Sequence, residues 1–233
     1  MNEQDVIALV LVYAIIGVSL IASELVKRRF PNADSRKIVH IGVGNFVFVW
    51  WMFSEGWIML AFFAIPFSIL LFIAMFEGNV VSRSRLGDIS NKMGHRTGLF
   101  LYALSIGVMI VVFRDHWIAA SIGMVAMTYG DGFGSVIGKR FGRHRGLGGK
   151  SIEGSLGVFA ATAIVGFVLI SLYGYLASIG AYTGDVYGSA LPAWCACAIA
   201  GFVAMLVEAF CPGKVDNLAI SLCVATSMVL IGV

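Results

Sequence analysis

The sequence predicts an all-α, polytopic integral membrane protein of about eight transmembrane helices, with both termini outside. Three observations predict it. Hydrophobic residues make up 59% of the 233-residue chain and charged residues 12%, and the mean hydropathy is +0.92. A water-soluble domain of this composition would expose too much apolar surface. Apolar runs approaching the roughly 20 residues that cross a bilayer recur along the chain. Finally, the basic residues sit in alternate loops: 15 of the 16 Lys and Arg do so, and only Arg114 falls on the other side.

Span 1, near 5–26, follows the acidic start Met1-Asn-Glu-Gln-Asp. With no basic segment ahead of it, it reads as a retained helix rather than a signal peptide. Lys27, Arg28, Arg29, Arg36 and Lys37 follow it, and span 2 runs near 39–54. Span 3, near 57–76, leads into Arg83, Arg85, Lys92 and Arg96, and span 4 lies near 98–113. Span 5, near 117–138, ends at Lys139, Arg140, Arg143, Arg145 and Lys150. Span 6 lies near 152–173 and span 7 near 190–210; Lys214 then precedes span 8, near 217–233. By the positive-inside rule the basic loops are cytosolic. The net charge of +3 then reflects orientation in the bilayer and needs no nucleic-acid partner. Cys195, Cys197, Cys211 and Cys223 lack metal-ligand spacing and act as small hydrophobes. No internal repeat appears, so residues 1–233 count as one domain.

Ionisable groups are costly in a bilayer and mark function. Glu24, Asp34, Glu77, Asp88, Asp131, Glu153, Glu208 and Asp216 gather at the cytosolic ends of spans or in cytosolic loops. No acid stands clearly at mid-membrane, where an ion-coupled transporter would more often place one. The pattern favours a site at the cytosolic surface, where a soluble reagent meets a lipid.

In "TYGDGFGSVIGKRFG", Gly130, Gly134, Gly138, Gly142 and Gly146 recur every fourth residue. The stripe suits close helix packing or a bare groove wall that a ligand approaches. Asp131 stands beside it, with Lys139, Arg140, Arg143 and Arg145 following. A carboxylate near such cations can hold Mg²⁺ while the cations take up phosphate charge. "GLGGKSIEGSLG" then opens span 6. Gly148, Gly149, Lys150 and Ser151 lie at its first turn, where free N–H groups and the helix dipole favour an anion. A P-loop is excluded: the required first glycine is His144, and an apolar helix replaces the preceding strand. Glu153 is either a first-turn dipole partner, a metal ligand or a general base. In "SRKIVHIG", Arg36 and Lys37 are bilayer anchors or site cations, and His40 is a structural or a catalytic histidine. In "CPGKVDNLAI", Asp216 and Asn217 either cap span 8 or contact metal or ribose.

"SRKIVHIG", "YGDGFGSVIGKRFGRHRGLGGKSIEGSLG" and "VEAFCPGKVDNL", in that order, resemble the CTP-dependent polyprenol kinase family, which includes dolichol and phytol kinases. The resemblance covers most of the chain from about residue 35 to 220. It implies transfer of the CTP γ-phosphate to a membrane isoprenoid alcohol with a divalent cation, usually Mg²⁺. By motif position, Arg36 and Lys37 match the family's basic pair, Asp131 the acid heading the CTP motif, and Gly138 and Gly142 its glycines. Lys150 and Glu153 match the Lys-x-x-Glu-Gly ending, and Asp216 and Asn217 the late acidic-Asn pair. The phosphatidate cytidylyltransferases are similar in the central segment, but their Pro-Gly-His-Gly-Gly signature is missing here. A small transporter is the non-enzymatic alternative.

The expectation is therefore a CTP-dependent lipid kinase of a multi-pass membrane protein, its site facing the cytosol. Asp131, Lys150, Glu153, Arg36, Lys37 and His40 are its catalytic candidates. Gly134, Gly138, Lys139, Arg140, Gly142, Arg143, Gly149, Ser151 and Asn217 are candidate nucleotide contacts. Asp131, Glu153 and Asp216 are candidate metal ligands.

Overall fold

A computed structural model describes residues 1–31, 34–76, 78–84, 87, 97–211, 213 and 215–233. Glu77, Arg85, Asp88, Lys92, His95, Arg96 and Lys214, which the sequence places in loops, lie outside these residues. Among the described residues the chain is helical with no strand; the one bridge pairs Arg145 with Ser151. Among the described residues, four helices are long and apolar enough to cross a membrane: Glu3–Arg29, Gly56–Ala74, Ile152–Ser178 and Ala193–Phe210. Two shorter apolar helices, Gly98–Val112 and Asp216–Leu230, accompany them. Where the sequence suggests one domain, packing resolves two compact units, Met1–Ile110 and Val111–Val233.

The first unit holds α1 (Glu3–Arg29), α2 (Ser35–Val43), α3 (Gly56–Ala74) and most of α4 (Gly98–Val112). Span 2 of the sequence reading is broken: after α2 the backbone tightens into 3₁₀ turns at Gly44–Phe48 and Trp50–Met52. Asn2 and Asp5 form a capping box at the start of α1, satisfying two orphan N–H groups reciprocally. The same buried Asp5 carboxylate accepts the Ser54 N–H at 2.7 Å and its hydroxyl at 2.9 Å. It thereby ties the head of α1 to the turn before α3. Within α3, Leu60–Ala64 forms a π-helical turn directly ahead of Pro66. Proline lacks the N–H that would reach the carbonyl four residues back. That carbonyl belongs to Phe62, and the Tyr13 hydroxyl of α1 donates to it at 2.6 Å.

The second unit holds α5 (Trp117–Val125), a π-helical turn at Ala126–Gly130, α6 (Asp131–Phe141), α7 (Ile152–Ser178), α8 (Ala193–Phe210) and α9 (Asp216–Leu230). The run from 117 to 141 is helical throughout. The glycine stripe answers its own question at three positions. A Cβ on Gly130 would overlap Thr162, and one on Gly134 would overlap Val158, both on α7. On Gly138 it would stand 3.4 Å from the Gly154 Cα. The facing helix is equally bare, since a Cβ at Gly157 would lie 3.3 Å from the Gly134 Cα. Two glycine faces therefore pack backbone to backbone, the small-residue solution to helix association in lipid. The groove-wall alternative does not describe these three positions, because α7 fills that face.

At the other end of this unit, Asp185 accepts the Ile118 N–H at 3.1 Å and the Tyr182 hydroxyl at 2.8 Å. A carboxylate from a distant loop thus serves the start of α5, where the helix leaves N–H groups unbonded.

Candidate functional site

The segment between α6 and α7 is a compact loop closed by its own backbone. Gly146 N–H donates to the Lys150 carbonyl at 2.7 Å, and Ile152 N–H to the His144 carbonyl at 3.0 Å. Ser151 caps α7, its hydroxyl accepting the Gly154 N–H at 3.1 Å. Glu153, in the first turn of α7, reaches back to the loop. Its carboxylate accepts the N–H groups of Arg143 at 3.1 Å and His144 at 3.4 Å, and pairs with the His144 ring at 2.7 Å. Its partners here are therefore loop groups. The sequence weighed a dipole partner, a metal ligand or a base and did not foresee this clasp.

Two glycines shape the tip. Gly148 has φ +61° and Gly149 φ +78°, a region that costs side-chain-bearing residues free energy. Gly148 also presses on the end of α8, where any Cβ would overlap the Ala209 carbonyl. Nothing lies within 4 Å of a Cβ on Gly149. The contact at Gly148 sets where Lys150 emerges, two residues on.

Lys150 donates to Glu208 Oε1 from the last turns of α8. Glu208 is 6% exposed. Burial pulls the Lys150 ammonium down, but the Glu208 hydrogen bond and charge, then Asp131 and Asp216, more than offset it. Its pKa stands above the ordinary 10.5, so Lys150 is firmly a cation. One lysine thus sits in the field of three carboxylates from α6, α8 and α9. Asp131 is buried at the junction of the π-helical turn and α6. Such turns within helices are frequent at functional sites. Asp216 opens α9 and accepts the Asn217 N–H at 2.8 Å, with Asn217 itself buried. Lys139, Arg140, Arg143 and Arg145 are exposed along α6 and the loop. Cys211, just past α8, has its thiol pushed up by burial and by Asp216.

Glu208 is the residue the sequence reading left out of its site. The sequence shows it as an acid at a span end and inside "VEAFCPGKVDNL", but its link to Lys150 crosses 58 positions. Its Oε2 is buried with no hydrogen-bond partner. No group of three His, Cys, Asp or Glu among the described residues stands ready to hold a metal alone. Mg²⁺ generally takes one or two carboxylates and completes its octahedron with phosphate oxygens and water. An orphaned Glu208 oxygen, with Asp131 and Asp216 acting on the same lysine, fits a cation brought in with a polyphosphate.

Arg36, Lys37 and His40 belong to the first unit. Asp34 accepts the Lys37 N–H and caps α2. The Arg36 guanidinium lies against Gly98 of α4. Lys37 is buried. His40 is buried too, its ring centroid 4.4 Å from that of Tyr102, whose hydroxyl donates to the His40 carbonyl at 3.2 Å. Both rings line an apolar cavity walled by Ile16, Leu20, Val39, Phe67 and Ile106 among others.

The chain is 32% identical to the phytol kinase of Synechocystis sp. over 228 residues, covering 93% of this chain and 88% of that protein. It is 31% identical to the chloroplastic farnesol kinase of Arabidopsis thaliana over 175 residues, covering 70% of this chain and 54% of the relative. No family model matches, and no solved structure matches.

Proposed function

This chain belongs to the phytol kinase-like family of isoprenoid-alcohol kinases, and we propose that it transfers the γ-phosphate of CTP to a membrane isoprenoid alcohol at the cytosolic face. The observation that carries the site is Lys150, fixed by a glycine loop and set among Glu208, Asp131 and Asp216. An ammonium provides three donors; Glu208 takes one, and the triphosphate is the natural claimant for others. The exposed Lys139, Arg140, Arg143 and Arg145 add the charge that draws an anionic nucleotide to this loop. Arg36 and Lys37 are proposed as cations of the reaction on the strength of the family resemblance. The apolar cavity beside His40 supports an acceptor with a hydrocarbon tail.

In the reaction the alcohol oxygen forms a bond to the γ-phosphorus, the bridging bond to the β-phosphate oxygen breaks, and CDP leaves. The hydroxyl proton passes to a carboxylate. Asp131 is favoured for that acceptance because Glu153 is engaged by the loop backbone. A divalent cation bound with CTP would supply charge neutralisation for the leaving CDP. Positioning carries the rest, since phosphoryl transfer needs in-line placement more than covalent help.

The test uses purified protein in lipid nanodiscs with phytol, farnesol or geranylgeraniol, and CTP labelled at the α or the γ phosphate. Label in the lipid from the γ position only supports the kinase. Label from the α position would make it a cytidylyltransferase and overturn the proposal, as would no labelled lipid from either. Asp131→Ala should abolish turnover while the protein remains folded.

A further inference from the structure

We infer that Glu208 is a ligand of the nucleotide-borne divalent cation through Oε2, while its Oε1 holds Lys150 for the phosphates. The inference rests on the nucleotide reading above and gives a role to a residue that the motif "VEAFCPGKVDNL" contains but leaves unassigned. Its starting point is a mismatch. Glu208 is 6% exposed, one oxygen is committed to Lys150, and the other has no hydrogen-bond partner. A buried, unsatisfied charged oxygen costs several kcal/mol in general, and such atoms call for a specific explanation.

Lys150 alone does not provide it. The ammonium already bonds Oε1, and a purely structural ion pair would be best served by satisfying the second oxygen locally. The neighbourhood supplies two more carboxylates, Asp131 and Asp216, both acting on the same lysine. A carboxylate oxygen in such company suits a divalent ion. The glycine loop adds the geometry. Gly148 rests on the Ala209 carbonyl, one residue past Glu208, so the lysine and the carboxylate are held by the same contact.

The test separates ligation from positioning. Mn²⁺ binding is followed by its electron paramagnetic resonance signal in the presence of a non-hydrolysable CTP analogue. Binding of the analogue alone is measured in EDTA. Wild-type protein should bind both, and failure of the wild type to bind the analogue would overturn the nucleotide reading itself. Glu208→Gln keeps the size and an oxygen that can accept from Lys150. It should weaken Mn²⁺ in the ternary complex by at least about tenfold, a clearly larger loss than the one it causes in analogue affinity in EDTA. Glu208→Asp should recover part of the Mn²⁺ affinity. Equal losses with and without metal would make Glu208 a support for Lys150 only and overturn the ligand assignment. Unchanged Mn²⁺ affinity in Glu208→Gln would overturn it as well.

Discussion

Replacing Gly148 and Gly149 separately by alanine gives a sharp test of the loop, because the two share one strain and differ in one contact. Both have φ in the left-handed region, at +61° and +78°. A Cβ there costs roughly 1–2 kcal/mol. Gly149→Ala meets nothing within 4 Å, so it should lose about that much stability and little else. Gly148→Ala also drives its methyl into the Ala209 carbonyl, a backbone atom that no rotamer change can move. Either the loop lifts or the end of α8 gives way, and in both cases Lys150 and Glu208 separate. A displacement on the order of 1 Å in positioning groups can cost about 100-fold in rate. Expected, then, is a fall of about 100-fold in kcat/KM for the nucleotide with Gly148→Ala, and less than about tenfold with Gly149→Ala. The assay is prenol phosphorylation in nanodiscs, with thermal unfolding measured on the same samples. KM for the alcohol should move little in either variant. Equal kinetic losses in both would show that the Gly148–Ala209 contact does not position Lys150.

Three further perturbations probe the scaffold and the charge. Gly134→Ala should destabilise by about 1–3 kcal/mol through overpacking against Val158, and Val158→Ala in the same chain should recover part of it; strict additivity of the two losses would refute the packing account. Tyr13→Phe removes the donor to the Phe62 carbonyl, which Pro66 has no N–H to serve, at a cost of about 0.5–1.5 kcal/mol. Pro66→Ala, which restores an N–H at that position, should blunt the Tyr13→Phe loss, as read from thermal unfolding of the double mutant. Lys150 has a folded pKa above 10.5, so its contribution to stability is fully present below that pH and is lost as pH rises through the folded value. The stability gap between wild type and Lys150→Gln should therefore stay flat from neutral pH to about 10 and close only in stronger base; a gap that closes near neutrality would contradict it.

What was legible in the sequence divides along the reach of each interaction. Helices with their apolar runs are local, and so is the four-residue glycine period; α1, α7 and α8 stand close to the expected spans. The break in span 2 was not readable, because its 3₁₀ turns depend on neighbours rather than on composition. The partner of the glycine face was also hidden. The period shows that a face is bare, yet only the answering Gly154 and Gly157 across the interface show that α7 occupies it.

Reach also separates Lys150 from Glu208. Lys150 carries a local signature: glycines with positive φ before it and a helix start after it. Glu208 stands in "VEAFCPGKVDNL", but its partner, Lys150, lies 58 positions away. In an apolar chain this asymmetry has a physical use. A buried carboxylate on a packed helix is costly unless something cationic answers it. The glycine loop can provide that answer only if its backbone approaches α8 closely, which Gly148 allows and no side-chain-bearing residue would. The loop's glycines therefore act less as a flexible cradle than as a rigid spacer. They fix the distance between Lys150 and the buried carboxylate of Glu208.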